Sequence, residues 1–140
     1  MKAIDMHVHF STERGFYAKD EEFKQAVEKY YRMKYVFKTE GEMAQDFVEL
    51  DIKAIAMAWD TESNTGWPRV ENDYVAGVVK AHPEAFVGAW ASVDPWKGKM
   101  AVKEEERAIK KLGMLGLKFQ QAAMGFFPND HRFYPIYEKC

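Results

Sequence analysis

The sequence predicts an α/β fold built on a parallel sheet, and three observations carry that reading. Short apolar runs of strand length recur four times, segments of helical periodicity separate them, and capping or turn residues mark the boundaries. The first run, Ala3 to Val8, alternates: Ile4, Met6 and Val8 fall on one face, and Asp5, His7 and His9 on the other. A helix is expected from Asp20, as its N-cap, to about Tyr35. Phe23, Val27, Tyr30 and Tyr31 stand at helical spacing there, with Glu21 and Glu22 in the favourable first turn. Thr39 and Glu42 have the spacing of a capping box, and Met43, Phe47 and Leu50 then follow at i, i+4 and i+7.

The second apolar run, Ala54 to Trp59, follows that helix directly and is expected as a buried strand. Asp60 to Pro68 is expected as a loop. From Asn72 to Ala81, Tyr74, Val75, Val78 and Val79 make one helical stripe that Pro83 stops. Phe86 to Val93 is a third strand, ending at Asp94-Pro95, where Asp94 suits a turn. Lys99 to Leu112 is a helix with Ala101, Ala108, Ile109 and Leu112 inward and Gly113 as its C-cap. The charge run from Lys103 to Arg107 is expected to be its solvated face. Leu115 to Phe119 is a fourth strand. A loop from Gly125 to Asp130 leads to a last helix over Phe133–Cys140.

Composition narrows the function classes. The 140 residues include 20 basic and 22 acidic side chains for a net charge of −2, and the two signs are interspersed. That distribution lacks the basic patch that nucleic acid or an anionic membrane requires, so neither is an expected partner. A hydrophobic content of 47% with 15% aromatics excludes a disordered chain. Cys140 is the only cysteine, which precludes an internal disulfide and fits a reducing compartment. Asp5, His7 and His9 interrupt any signal-like apolar stretch in MKAIDMHVHF, and no apolar run approaches the ~18 residues of a membrane span. A cytoplasmic location follows as the expectation.

The sharpest chemical signal is His7-Val8-His9 at the end of the first strand. Two imidazoles two residues apart on a strand project from one face, close enough to share a metal ion. In parallel α/β folds the C-terminal strand ends line the active-site mouth. The plainer alternative is a pair of polar residues where a strand leaves the core. Lys118 and Gln120 share a face of the fourth strand and can bind substrate. Trp59 and Asp60, at the end of the second strand, are placed to line the same mouth, although Asp60 equally suits a turn. His82, before a proline at a helix end, fits a surface site favoured by the helix dipole, and His131 fits a solvated loop.

The segment IDMHVHF resembles the first-strand signature of the amidohydrolase superfamily. Two further blocks extend the likeness over most of the chain: AWDTESNTGWPRVENDYVAGVVKAHPEAFVGAWASVDPWKG and GLKFQQAAMGFFPNDHRFYPIYEKC. They resemble the amidohydrolase-related branch that includes aminocarboxymuconate-semialdehyde decarboxylase. The resemblance implies a (β/α)8 barrel of the TIM type, of which residues 1–140 cover about the first four β/α units, its N-terminal half. It implies metal-dependent hydrolysis or non-oxidative decarboxylation of a small carboxylated or cyclic organic substrate. His7 and His9 would be ligands of a divalent ion, with zinc the first choice. Lys118 and Asp60 are then the candidates for catalysis, and Trp59, Lys118 and Gln120 for substrate binding.

The family pattern often places a histidine where this chain has Gln120. Its further ligands, a histidine after the fifth strand and an aspartate after the eighth, have no counterpart here. A barrel of this type typically takes ~250 residues, so the sequence is expected to be cut short. Open sheet edges then call for the remainder of the barrel or for a homo-oligomer. Two other readings stand beside this one: a non-catalytic half-barrel that self-assembles through its edges, and a phosphoesterase of the polymerase-and-histidinol-phosphatase type. The second expects more early ligands, and Phe10 to Trp59 contains no histidine.

Overall fold

The computed structural model describes residues 1–15 and 21–140. Its centre is a four-stranded parallel sheet in the order β1-β2-β3-β4, formed by Ala3–Val8, Ile52–Met57, Phe86–Ala91 and Gly116–Leu117. Helices α1 (Glu21–Tyr31) and α2 (Glu40–Glu49) link β1 to β2, and α3 (Glu62–Thr65) and α4 (Asn72–Ala81) link β2 to β3. Helix α5 (Lys99–Leu112) leads to β4, followed by α6 (Gln121–Met124) and α7 (Tyr134–Tyr137). Sequential parallel strands with helical crossovers make this a half-barrel of α/β type.

The local signals explain most of the boundaries. The Thr39 hydroxyl accepts the Glu42 amide at 3.2 Å, and the Glu42 carboxylate accepts the Thr39 amide at 2.8 Å, closing the capping box. Thr39→Ala is therefore expected to lower stability by about 1 kcal/mol, measurable by urea denaturation. Gly113 ends α5 at φ 70°, a left-handed conformation that costs a glycine nothing. The second strand lies two residues earlier than the apolar run suggested, and Trp59 instead forms an isolated antiparallel bridge with Val70. The fourth strand is shorter than its apolar run, although Leu115 and Lys118 extend its hydrogen bonds to Ala89 and Ala91 of β3.

Some expectations fail for tertiary reasons. The Asp20 cap lies outside the described residues. Helix α1 stops at Tyr31, not Tyr35, because Arg32 adopts φ 56°, and Tyr30 and Tyr31 of the expected stripe stay exposed. A short helix, α3, interrupts the loop expected after β2, and another, α6, follows β4 in a stretch for which no element is expected. The charge run on α5 is not wholly solvated. Glu105 is 1% exposed, because Ala101, Glu105 and Ala108 form one stripe of α5 that turns inward. The Cys140 thiol donates to its Oε1 at 2.9 Å, Oε2 has no partner among the described residues, and burial holds the carboxyl above its usual pKa.

The main core lies between the sheet and its helices, where Ala54, Ala56, Phe86 and Ala89 meet Met43, Ala44, Val75 and Ala108. The other sheet face and the β1 edge are more open, leaving Ile4, Met6, Val87 and Leu115 exposed. A hydroxyl cluster pins the segment after β1 to the helices. The Tyr74 hydroxyl donates to Glu40 at 2.8 Å and also bonds Thr12, while the Arg14 guanidinium lies 4.5 Å above the Tyr74 ring.

Candidate active site

Two features of β1 present the histidines. The strand pairs with β2 at Asp5↔Ala54 and Val8↔Ala56, so three steps on β1 match two on β2. Met6 and His7 thus stand opposite Ile55 alone, a bulge that re-aims side chains. The bulge corrects the simple alternation, since Asp5 does not keep phase with His7 and His9 across it. The Asp5 carboxylate instead accepts the His7 amide at 2.9 Å.

The imidazoles converge. His7 Nε2 lies 3.3 Å from His9 Nε2, with the ring centroids 5.2 Å apart and the planes at 68°. Two ligands bound to zinc at ~2.0–2.1 Å with a tetrahedral angle between them stand about 3.3–3.4 Å apart, so the spacing fits a shared ion. Burial pushes the His9 pKa down to about 4, helped by the charges of His7 and Lys118. His9 is therefore neutral at physiological pH, with a lone pair to offer. Among the described residues no group of three or more His, Cys, Asp or Glu side chains is arranged to hold a metal. Among the described residues the donor set is the histidine pair.

Around the pair is a small cavity whose walls include Trp59, Ser92, Lys118 and Gln120. Trp59 meets His9 edge to face at 5.7 Å and is anchored by its indole N–H, which donates to Thr61 Oγ1 at 3.0 Å. Lys118 Nζ donates to the Phe119 carbonyl at 2.8 Å. Gln120 is exposed at the start of α6, where its backbone carbonyl accepts the Met124 amide at 2.8 Å. Five of the six residues singled out in the sequence thus meet at one place, although they come from three strand ends.

Asp60 does not join them. It faces a second cavity of about 350 Å³ bordered by the starts of α4 and α5, which is larger than the one around the histidines. There Lys97 grips it through both carboxylate oxygens at 2.9 and 2.7 Å, and also reaches Glu62 at 2.6 Å. Burial raises the Asp60 pKa, and the hydrogen bond and charge of Lys97 oppose that without cancelling it. Burial also works against the charge of Lys97, but its two carboxylate partners outweigh it and the pKa rises. Both pKa values thus rise, against the charge of Asp60 and in favour of that of Lys97, because the more enclosed partner bears the greater desolvation: the Asp60 side chain is 8% exposed and Lys97 21%. Nothing in the sequence singles out Lys97, which lies 37 residues from Asp60.

Ser92 is the wall shared by both cavities, and its hydroxyl accepts the Asp60 amide at 3.0 Å. Asp94 is the expected turn former, accepting the Trp96 amide at 3.0 Å. It also accepts the Ser63 amide at 2.7 Å, which ties the loops after β2 and β3 together. His82 caps the end of α4 beside Glu84, and His131 stacks on Tyr134 at 4.7 Å; neither lines the histidine cavity.

The fold and the site together define a parallel α/β half-barrel with a histidine pair where β1 ends. A family model described as amidohydrolase matches residues 4–140, and the chain belongs to that family. Its function is accordingly of the metal-dependent hydrolase type, the family generally employing divalent metals. No curated protein matches the chain. Among the described residues no helix is long and apolar enough to cross a membrane.

Proposed function

We propose that the protein acts in metal-dependent hydrolysis or non-oxidative decarboxylation of a small carboxylated or cyclic organic compound in the cytoplasm. His7 and His9 are two ligands of a divalent ion, zinc by preference. The observation that carries this reading is the 3.3 Å separation of the two Nε2 atoms in a chain of the amidohydrolase family. When bound, such an ion acts as a Lewis acid on a substrate oxygen and acidifies water. The chain's own groups do the rest. His9 stays neutral and so remains a donor, the Lys118 ammonium faces a substrate carboxylate, Gln120 offers an amide, and Trp59 supplies an apolar wall.

The decarboxylase branch is favoured by the sequence blocks that resemble it and by the cationic Lys118 beside the pair. In this reading residues 1–140 form the N-terminal half of an eight-stranded barrel. Further ligands come from strands that add at the edges of β1 and β4, in the same polypeptide or a second copy.

Titration with Co²⁺, followed by absorption and calorimetry, tests the assignment. Two imidazoles leave a tetrahedral ion short of its usual three or four protein ligands, so weak binding is expected. His7→Ala and His9→Ala should each reduce it at least tenfold. Binding that survives both substitutions defeats the reading.

A further inference from the structure

We infer that Trp90 is a positioning residue for the histidine pair: its indole holds the β1 bulge that turns His7 and His9 toward each other. The inference rests on the metal-ligand reading above and adds a residue which that reading does not use. It begins with the backbone groups of the bulge. Where two residues oppose one, the regular ladder is broken, and the backbone groups it frees turn to other partners or to water. Both residues of this bulge have one. The His7 amide donates to the Asp5 carboxylate at 2.9 Å, and the Met6 carbonyl accepts the Trp90 indole N–H at 3.2 Å.

The second contact is unusual in reach. Trp90 belongs to β3, and the sheet order places β2 between it and β1, so the indole spans a strand to reach Met6. The structure makes room for it. Trp90 pairs with Gly116 of β4, and a Cβ at that glycine would already touch the indole at 3.4 Å. A second bulge sets its direction. Ala54↔Phe86 and Ile55↔Gly88 pair successive residues of β2 with alternate residues of β3, leaving Val87 as the extra one. This slip separates Phe86, packed among the helices, from Trp90, which reaches across to β1. One strand's irregularity thus supplies the donor that the other's requires.

The consequence is geometric. His7 lies inside the bulge and His9 two residues on, so the conformation of Met6-His7 sets the angle between the two imidazoles. Without the indole, the Met6 carbonyl turns to water and the bulge can relax toward regular pairing, which rotates His7 away from His9.

The test compares Trp90→Phe, which keeps an aromatic body and removes the N–H, with Asp5→Ala, an exposed site whose change leaves the fold intact. Val75→Ala, in the core between sheet and helices, controls for general destabilisation. Co²⁺ affinity should fall by about tenfold in Trp90→Phe, the lower end of the range for residues that orient a ligand, and in the same direction in Asp5→Ala. The metal-free chain provides an independent readout. At fixed pH the ¹⁵N shifts of the His7 and His9 rings should report loss of the Nε2–Nε2 contact in both variants and not in Val75→Ala. Unchanged ring shifts in Trp90→Phe overturn the inference, as does a Co²⁺ loss equalled by Val75→Ala. If Trp90→Phe does not fold, Trp90→Met, which also lacks the indole N–H, takes its place, and unchanged ring shifts there overturn the inference. A wild-type chain that takes up no Co²⁺ defeats the metal reading alone, and the ring shifts still decide the role of Trp90.

Discussion

Replacing Lys97 with methionine is expected to lower the unfolding free energy by about 3 kcal/mol at neutral pH. The change removes the only side-chain cation that contacts Asp60 among the described residues, while the Asp60 carboxylate stays 8% exposed. A buried charge left without its partner keeps its desolvation cost and loses the attraction that offset it. The pH dependence gives the mechanism away. Asp60 already has a raised pKa in the fold, and without Lys97 it rises further. A raised folded pKa means stability that is full below the unfolded value and lost as pH rises through the folded one. The deficit of Lys97→Met should therefore be greatest above the new Asp60 pKa and shrink as the solution is acidified. Denaturant melts at several pH values measure this, and a deficit that is constant with pH rules the explanation out. Adding Asp60→Asn should recover part of the loss, because the orphaned charge disappears with it.

Phe86→Ala is expected to cost about 3–5 kcal/mol and to lower the melting temperature by roughly 10–20 °C. Phe86 is 2% exposed and meets Phe10 edge to face at 5.3 Å and Phe47 at 5.7 Å. Truncation leaves a cavity where three aromatic rings meet, at the seam between β3, α2 and the segment that follows His9. Its neighbour provides the contrast. Val87 is 46% exposed, and Val87→Ala should change stability by no more than about 0.5 kcal/mol. Equal losses at the two positions in calorimetric melts would mean that the β3 bulge has been misread.

Much of this molecule is legible along the chain, because its signals are local. The Thr39–Glu42 capping box depends on atoms within four residues, and Gly113 stops α5 through its own φ. The stripe of Tyr74, Val75 and Val78 follows from the helical period. His7 and His9 stand out because an HxH on a strand is a local pattern, and Lys118 and Gln120 because they alternate on the same face. The parallel order of strands follows from the lengths of the crossovers.

What only the tertiary structure decided is set by contacts between distant segments and by slips of register. Strict alternation would put Asp5 on the face of His7, and Phe86 on that of Trp90. A single extra residue in β1 and another in β3 reverses both assignments, because period two has no tolerance for an insertion. Asp60 can line a mouth or start a turn as far as its neighbours show. Lys97, drawn to it across 37 residues by the fold of the loops, takes it into a separate cavity. Glu105 looks solvated inside a run of charges, yet its place between Ala101 and Ala108 on the inward stripe of α5 buries it beside Cys140. In each case the residue type is plain from the sequence. Its partner is not, because burial and pairing belong to the packed chain as a whole.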